Sequence, residues 1–257
     1  MKYEDLLNSH MQYGTTSEDI IVRNNYEKIQ KNVVIAPWWK HDIFTNYNLN
    51  IEKINDRIYN IYNEDISFSF IELRQIGAPA IMEAVLSLGV TACENIIFIG
   101  SVGSLDKNIK IGDIVIPKYS LCGDGASRYL NKNFEDEFLK KEYPSKQITN
   151  KLISLLEKEN IKYHNVPNIS IDTIFAQFYH IEKLKEYGAQ TVEMETANIF
   201  KCKEILKKNV TALLCVSDNT VLKKSLFSGR TKEENENRLK IKNEIIPKII
   251  INLFQIL

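Results

Sequence analysis

The 257-residue sequence predicts a single-domain, three-layer α/β fold with a central mixed, twisted β-sheet flanked by helices. Apolar runs rich in β-branched residues alternate with segments of helical spacing, which is typical of a sheet covered by helices on both faces. No internal repeat and no linker rich in Pro, Gly or Ser divides the chain. We expect residues 1–30 to form a polar, partly helical lead-in and residues 31–257 to form the domain, a length that suits one large unit.

Six segments have the composition of strands. Residues 95–99 are continuously apolar, as in a buried parallel strand, and residues 66–73 alternate apolar with polar side chains, as in a half-exposed strand. The other predicted strands are residues 32–37, 111–117, 168–174 and 210–216.

Four segments have helical spacing. Residues 79–88 begin with Pro79 and are followed by Gly89, an order that is favoured at the two ends of a helix. The other predicted helices are residues 148–157, residues 196–207 and a long amphipathic segment from about 231 to 257.

The composition excludes several classes of partner. The 33 Lys and Arg residues balance the 33 Asp and Glu residues, so no basic field attracts nucleic acid, and we expect a small-molecule ligand. No apolar run approaches the roughly 18 residues that span a bilayer, and the N-terminus lacks the apolar core of a signal peptide, which predicts no membrane partner and a cytoplasmic location. The four cysteines and four histidines are scattered, which predicts neither a disulfide framework nor a bound metal.

Three motifs stand where the chain is expected to leave a strand or enter a helix. Residues 192–197 (Val-Glu-Met-Glu-Thr-Ala) open a predicted helix, residues 217–219 (Ser-Asp-Asn) end a predicted strand, and residues 100–103 (Gly-Ser-Val-Gly) follow another as a predicted turn. Ligands of α/β proteins bind at such places. Each motif also has an ordinary structural interpretation, as an acidic helix start, a turn cap or a tight turn that needs glycine.

The motifs resemble, in their order and spacing, the family of nucleoside phosphorylases and nucleosidases that includes uridine phosphorylase and the hexameric purine nucleoside phosphorylases. The segments that carry the resemblance are residues 98–105 with 111–115, 123–127, 170–175, 192–195 and 217–218. The resemblance covers roughly residues 32–250. It implies the fold of that family and cleavage of the N-glycosidic bond of a nucleoside.

This reaction needs a proton donor for the departing base, because bond cleavage leaves positive charge on the ribose and sends electrons to the base. The resemblance implies that Asp218, next to Ser217, donates a proton towards N7 of a purine and that Arg230 assists it. A free Asp has a pKa near ~3.9, so this role requires burial or a neighbouring anion to raise it. Uridine-specific relatives lack the Ser-Asp pair, which favours a purine substrate.

The resemblance also implies a binding group for each half of the substrate. Glu195 is expected to bind the ribose hydroxyls, with Met194 lining the sugar and Glu193 close by. A carboxylate at this place also stabilises the positive charge that develops on the ribose. Phe175, or else Ile174, is expected to pack on the face of the base.

The anion site departs from the family pattern. Gly100 and Ser101 match the family's glycine-serine ligand for phosphate, and their backbone N–H groups can face an anion. The family's Gly-Asp-Pro-x-Arg turn, however, has Trp38 at the glycine and Asp42 at the arginine, and Phe98 replaces a second arginine. Phe cannot replace the bidentate, charge-assisted bonds of Arg to phosphate.

The missing arginines favour hydrolysis, or a substrate that carries its own phosphate. In a hydrolase a carboxylate should activate water beneath the sugar, and Asp42 and Asp124 are the candidates. If phosphate does bind, Lys40, His41 or Arg23 could replace the missing cations.

The sequence therefore predicts cleavage of a purine nucleoside or nucleotide, by hydrolysis or phosphorolysis, with no cofactor except inorganic phosphate as a possible co-substrate. The resemblance implies a homodimer or homohexamer. An alternative is a non-catalytic nucleoside-binding or storage protein on the same scaffold. A Rossmann dehydrogenase is disfavoured because the chain lacks its Gly-x-Gly-x-x-Gly motif.

Overall fold

The computed structural model describes residues 1–257 as ten strands and nine α-helices. The strands are β1 (Asn32–Ala36), β2 (Asn50–Lys53), β3 (Ile58–Tyr62), β4 (Ser67–Glu72), β5 (Asn95–Ser104), β6 (Ile114–Gly123), β7 (Lys141–Glu142), β8 (Tyr163–Ile171), β9 (Thr191–Glu193) and β10 (Asn209–Asn219). The helices are α1 (Tyr3–Gln12), α2 (Ser17–Asn24), α3 (Ala78–Ser87), α4 (Lys146–Lys158), α5 (Ile174–Gln177), α6 (Ile181–Glu186), α7 (Thr196–Leu206), α8 (Lys232–Lys240) and α9 (Ile246–Gln255).

The strands form one mixed sheet, as the sequence predicts. Four parallel strands lie in the order β4-β1-β5-β10, and β3 and β2 extend the β4 edge in antiparallel pairings. Beyond β10 the order continues through β6, β8 and β9, and β9 pairs with β5 again. These five strands therefore close into a ring, and the carboxyl ends of β1, β5 and β10 meet at one edge of the sheet.

Helices cover both faces of the sheet and confirm the three-layer prediction. On one face, residues of α3 and α7 such as Ile81 and Phe200 are fully buried against the sheet. On the other face, α4, α9 and the short 3-10 turn at His41–Phe44 pack against the same strands, where Phe44 and Leu152 are fully buried. Apolar burial on both faces accounts for the continuous apolar runs in β5 and β10.

The N-terminal helices pack against this domain. The Tyr3 hydroxyl donates to the carbonyl of Leu86 over 2.7 Å, and Leu6 and Ile21 contact the core on the α3 side. The Tyr3 ring fills the space beside Gly89, where a Cβ atom would lie 2.1 Å from Tyr3 Cζ. No helix combines the length and the apolar character that crossing a bilayer requires.

The structure corrects the predicted strands at three places. Residues 100–103 do not form a turn but continue β5 to Ser104, because β10 pairs with them. The predicted strand at 168–174 is β8, which begins at Tyr163 and ends at Ile171, so Ile174 starts α5. The strand predicted at 111–117 begins only at Ile114.

The last helix also differs from a single regular helix. Helix α8 passes into α9 through one π turn at Ile241–Ile245. The short strands β2, β3, β7 and β9 were not predicted from the sequence.

Candidate active site

Asp218 and the acidic motif at residues 192–195 meet at Gly103, near the end of β5. Asp218 pairs with Gly103 across β10 and β5, and Val192 pairs with Gly103 across β9 and β5. A Cβ atom at Gly103 would lie 2.9 Å from Asp218 Oδ2 and 3.3 Å from Val192 Cγ1. The absence of a side chain at Gly103 therefore lets two motifs that are distant in sequence approach each other.

Asp218 is a buried acid. It is only 6% exposed, and it follows a β-bulge at Ser217, whose hydroxyl donates to Asp218 Oδ1 over 2.6 Å. Burial raises the pKa of Asp218, and this effect exceeds the opposing effects of the Ser217 hydroxyl and the Arg230 charge. The raised pKa increases the protonated fraction near neutral pH, which a general acid requires.

Arg230 lies near this acid on the loop between β10 and α8. Its positive charge lowers the pKa of Asp218, against the larger effect of burial. Its Nη2 atom donates to the carbonyl of Leu226 over 2.9 Å. Its Nε atom is buried without a hydrogen-bond partner. Arg230 is therefore close enough to act on the acid by its charge, and its buried Nε–H is not used in a hydrogen bond within the protein.

Both carboxylate oxygens of Glu193 accept hydrogen bonds from other groups of the protein. Its Oε2 atom accepts from the backbone N–H groups of Glu195 and Thr196, both over 2.7 Å. Its Oε1 atom accepts from Asn168 Nδ2 over 2.8 Å, from Ser170 Oγ over 2.5 Å and from Thr196 Oγ1 over 2.8 Å. Glu193 thus holds β8, β9 and the start of α7 together.

Glu195 is buried beside this carboxylate. Its Oε1 atom accepts from the backbone N–H of Gly77 over 2.7 Å, and its Oε2 atom accepts from that of Met194 over 3.2 Å. Burial, together with the charge of Glu193, raises the pKa of Glu195 to about 8. Hydroxyl groups of a sugar donate to a carboxylate, so ribose binding would favour the ionised form of Glu195.

Ser101 is the one exposed residue of β5, and all the other residues of the strand are buried. Ser101 pairs with Cys215 on β10. Phe98, which stands in place of the family's arginine, is 1% exposed and lies within the core. Of the predicted anion site, the structure therefore places the Ser101 hydroxyl at the sheet edge and offers no cation from β5.

The predicted base-stacking residues lie on the surface of the chain. Ile174 and Phe175 belong to the short helix α5, where Ile174 is half-buried and Phe175 is 95% exposed. Phe178 and Tyr179, at 50% and 90% exposure, follow directly.

The two candidate water-activating carboxylates lie apart. Asp124 accepts from the backbone N–H and the hydroxyl of Ser127, over 2.7 and 3.0 Å, and none of its bonds reaches β5 or β10. Asp42 is exposed on the 3-10 turn after β1. Its negative charge opposes the lowering of the pKa of Lys242, on the C-terminal helix, that burial causes. Asp42 follows β1 of the four parallel strands β4-β1-β5-β10, whereas Asp124 follows the end of β6, which pairs with β8.

The cations proposed to replace the missing arginines do not gather at Ser101. His41 Nδ1 lies 2.8 Å from Glu72 Oε1, and its ring stacks on Tyr59 with 3.6 Å between centroids. Arg23 lines a cleft of about 1310 Å³ beneath the N-terminal helices. Lys40 is exposed, and its positive charge contributes to the lowered pKa of Lys242.

Two cations of the C-terminal helix were not singled out from the sequence. They are Arg238 and Lys242, which lie one helical turn apart. Their positive charges, like that of Arg230, oppose the rise in the pKa of the Cys215 thiol that burial causes. Their spacing of four residues is the signal that could have been noticed. In a highly charged helix, such a pair is usually solvated, so the signal was weak.

One group of side chains has the composition of a metal site. It consists of Cys122, Glu137 and Glu142. Lys201 already neutralises the group, with Nζ 2.6 Å from Glu137 and 3.6 Å from Glu142. Burial raises the pKa of the Cys122 thiol to about 12, which disfavours the thiolate that a metal requires. The group is therefore explained as a buried ion-pair cluster.

The mixed α/β domain brings Asp218 and the motif at residues 192–195 together at Gly103 of β5. The family model of the phosphorylase superfamily matches residues 66–250. The chain therefore belongs to the phosphorylase superfamily, as its sequence motifs predict.

Similar proteins come from several branches of this class. A DeoD-type purine nucleoside phosphorylase of Buchnera aphidicola is 26% identical over 202 residues, covering 75% of this chain and 82% of that protein. The structure of a uridine phosphorylase from Vibrio fischeri matches with a TM-score of 0.70 at 18% identity, covering 89% of this chain and 92% of the other. A 5'-methylthioadenosine/S-adenosyl homocysteine nucleosidase from Campylobacter jejuni matches with a TM-score of 0.69 at 14% identity, covering 88% and 99%.

Proposed function

We propose that the protein cleaves the N-glycosidic bond of a purine nucleoside or nucleotide and releases the free base. The observation that best supports this proposal is the buried Asp218 at Gly103, whose pKa is raised by burial. A purine carries a basic N7 atom that can accept a proton as the bond breaks, whereas uracil has no such atom.

Each residue of the candidate site has a distinct role in this reaction. Water or inorganic phosphate forms a bond to the anomeric carbon as the bond from that carbon to the base breaks. Asp218 donates its proton to the departing purine, so that the base leaves in a neutral form, and Ser217 holds the carboxyl group in place. Glu195 accepts hydrogen bonds from the ribose hydroxyls, and its charge stabilises the positive charge of the sugar. Glu193 keeps Glu195 in position through the backbone N–H of that residue.

The test is release of the base from a panel of adenosine, inosine, guanosine, uridine and adenosine monophosphate, with and without inorganic phosphate, followed by chromatography. We expect purines to be cleaved and uridine to be spared. Faster cleavage of uridine would contradict the purine assignment. Tight nucleoside binding without turnover would favour a non-catalytic binding protein.

A further inference from the structure

We propose that Asn219 is a positioning residue for Asp218, which it holds in place through the loop between β5 and β6 (residues 105–113). The proposal rests on the proposed function, in which Asp218 gives a proton to the departing base. Asn219 directly follows the acid in β10 and is fully buried. Successive side chains of a strand point to opposite faces, so Asn219 points away from the acid and towards this loop.

Both ends of the Asn219 amide are hydrogen-bonded within the protein. Its Nδ2 atom donates to the backbone carbonyls of Asp106 and Ile109, each over 2.9 Å, and lies 3.2 Å from the Ser104 hydroxyl. Its Oδ1 atom accepts from the backbone N–H of Leu222 over 2.9 Å. The site therefore requires a donor and an acceptor on one short side chain, which is what an asparagine supplies.

The loop that Asn219 binds also pairs with β10 just before the acid. The Gly112 N–H donates to the carbonyl of Val216, and the Val216 N–H donates to the carbonyl of Asp113, each over 2.9 Å. The β-bulge between Val216 and Asp218 therefore lies between two anchors on the same loop. A bulge interrupts the regular pairing of a strand, so the anchors on its two sides determine where the acid points.

The same loop is bound to the strand that leads to Glu195. The Leu105 N–H donates to the carbonyl of Gln190, and Gln190 Nε2 donates to Asp106 Oδ2, each over 2.9 Å. Gln190 immediately precedes β9, whose end begins the acidic motif. Asn219 thus joins the acid and the expected ribose-binding carboxylate through one loop.

Loss of the Asn219 amide would change the surroundings of the acid. Buried carbonyls would lose their donors, which is costly, so the loop would move and water would reach the carboxyl group. Burial raises the pKa of Asp218, whereas the Ser217 hydroxyl and the Arg230 charge lower it. A better hydrated carboxyl group therefore has a lower pKa, and a smaller fraction of it carries the proton at neutral pH.

The kinetic test is Asn219→Ala. We expect kcat for the preferred purine to fall by about 10-fold or more with a smaller change in KM, because the acid is misplaced while the substrate contacts remain. The decline of kcat on the alkaline side should also move to lower pH, because that limb reports the acid. If Asn219→Ala fails to fold, Asn219→Ser provides the same comparison, since its shorter side chain cannot replace both ends of the amide.

The matched control is Asn60→Ala. Asn60 is also a buried asparagine, which donates to the Lys28 carbonyl over 3.0 Å and accepts from the Ser69 hydroxyl over 2.7 Å. It lies in β3, which β4 and β1 separate from β5. We expect Asn60→Ala to lower Tm but to leave the pH profile of kcat unchanged. An equal pH profile in wild type, Asn60→Ala and Asn219→Ala would mean that Asn219 is only structural.

A second measurement does not depend on turnover. The carboxyl carbon of Asp218 is titrated by nuclear magnetic resonance in protein labelled with ¹³C-aspartate, and its signal is identified by its absence in Asp218→Asn. We expect the titration midpoint to be lower in Asn219→Ala than in wild type and unchanged in Asn60→Ala. Equal midpoints in wild type and Asn219→Ala would overturn the proposal, even if no purine is cleaved.

Combining the two substitutions separates this proposal from the proposed function. If Asn219 acts through the acid, adding Asn219→Ala to Asp218→Asn should cause little further loss of kcat. A further loss as large as that in the wild-type background would overturn the positioning role. Full turnover in Asp218→Asn would instead contradict proton donation by Asp218, and the titration would still show whether Asn219 controls the carboxyl group.

Discussion

Asp218 and Gly103 lie side by side on two parallel strands, and the carboxylate of Asp218 occupies space that a side chain at position 103 would take. The position of the acid therefore depends on a glycine in the neighbouring strand. The same glycine borders Val192, at the start of the motif that carries Glu195. Gly103 is thus a structural requirement of the candidate site, although it makes no side-chain contact.

Gly103→Ala should misplace the acid. The new Cβ atom would lie 2.9 Å from Asp218 Oδ2, so the carboxyl group must move, and a small misplacement can reduce the rate by about 10²-fold. We expect kcat for the preferred purine to fall by about 10-fold or more, with a smaller change in KM. Gly125→Ala is the control, because its Cβ atom would meet only an ordinary contact, 3.5 Å from Asp172. Equal kcat values for the two variants would contradict the close approach.

Asp218→Asn should abolish proton donation while keeping the shape of the side chain. We expect kcat for purine release to fall by about 10²–10⁴-fold, the usual contribution of general acid catalysis. The exposed Asp65→Asn is the control. Steady-state kinetics and melting curves on both variants separate loss of catalysis from loss of fold. Unchanged turnover in Asp218→Asn would remove Asp218 from the mechanism.

Sequence patterns were sufficient for the fold class and for the two acidic motifs. Apolar periodicity located the central strands because both faces of β5 and β10 are buried. The pattern failed at residues 100–103, where two glycines suggest a turn. There, pairing with β10 supplies backbone bonds that outweigh local preference. The edge strand β2 was missed because it is short and mostly exposed.

The different roles of Glu193 and Glu195 could not be predicted from the sequence. Both glutamates flank Met194 and look equivalent, but five hydrogen bonds within the protein use up Glu193. The close approach of α8 to Gly112 could not be predicted either. Such roles depend on tertiary contacts, which a local pattern does not contain.

Glu193→Gln should destabilise the protein more than Glu195→Gln does. The amide has one acceptor oxygen and cannot accept all five bonds, and bonds to charged groups contribute about 1.5–3 kcal/mol each. We expect the free energy of unfolding to fall by about 3 kcal/mol, which lowers Tm by roughly 6–12 °C in a chain of this size. Calorimetric melting of both variants tests this difference. A larger loss in Glu195→Gln would mean that the structural and ligand-binding roles are exchanged.

Phe175→Ser should weaken self-association. Phe175 and Tyr179 are 95% and 90% exposed on neighbouring turns, and exposed apolar patches commonly mark protein interfaces. We expect the wild-type protein to be a homodimer or homohexamer and Phe175→Ser to shift it towards a smaller species. Light scattering after size-exclusion chromatography measures both masses, and Phe134→Ser, at 62% exposure elsewhere, is the control. A wild-type monomer, or an unchanged mass in Phe175→Ser, would contradict this prediction.

Ionisation of Glu195 should make stability depend on pH. Its pKa is raised from 4.5 to about 8 in the folded protein, so the proton that it carries stabilises the fold below about pH 4.5. This contribution is lost progressively as the pH rises from there to about 8, and one pKa unit corresponds to roughly 1.4 kcal/mol. Glu195→Gln has no such proton, so the wild-type protein should lose stability relative to this variant across that range, on the order of a few kcal/mol.

Urea unfolding of the two proteins at several pH values measures the difference, and the exposed Glu64→Gln controls for loss of a carboxylate. The same reasoning applies to ligand binding. Because ribose hydroxyls donate to the ionised form, nucleoside binding at pH 7 should release a proton from Glu195. Calorimetric titration in buffers of different ionisation enthalpy detects that release. A stability difference between wild type and Glu195→Gln that does not change from pH 4.5 to 8 would show that Glu195 is already ionised in the empty site, and proton release on binding would then vanish as well.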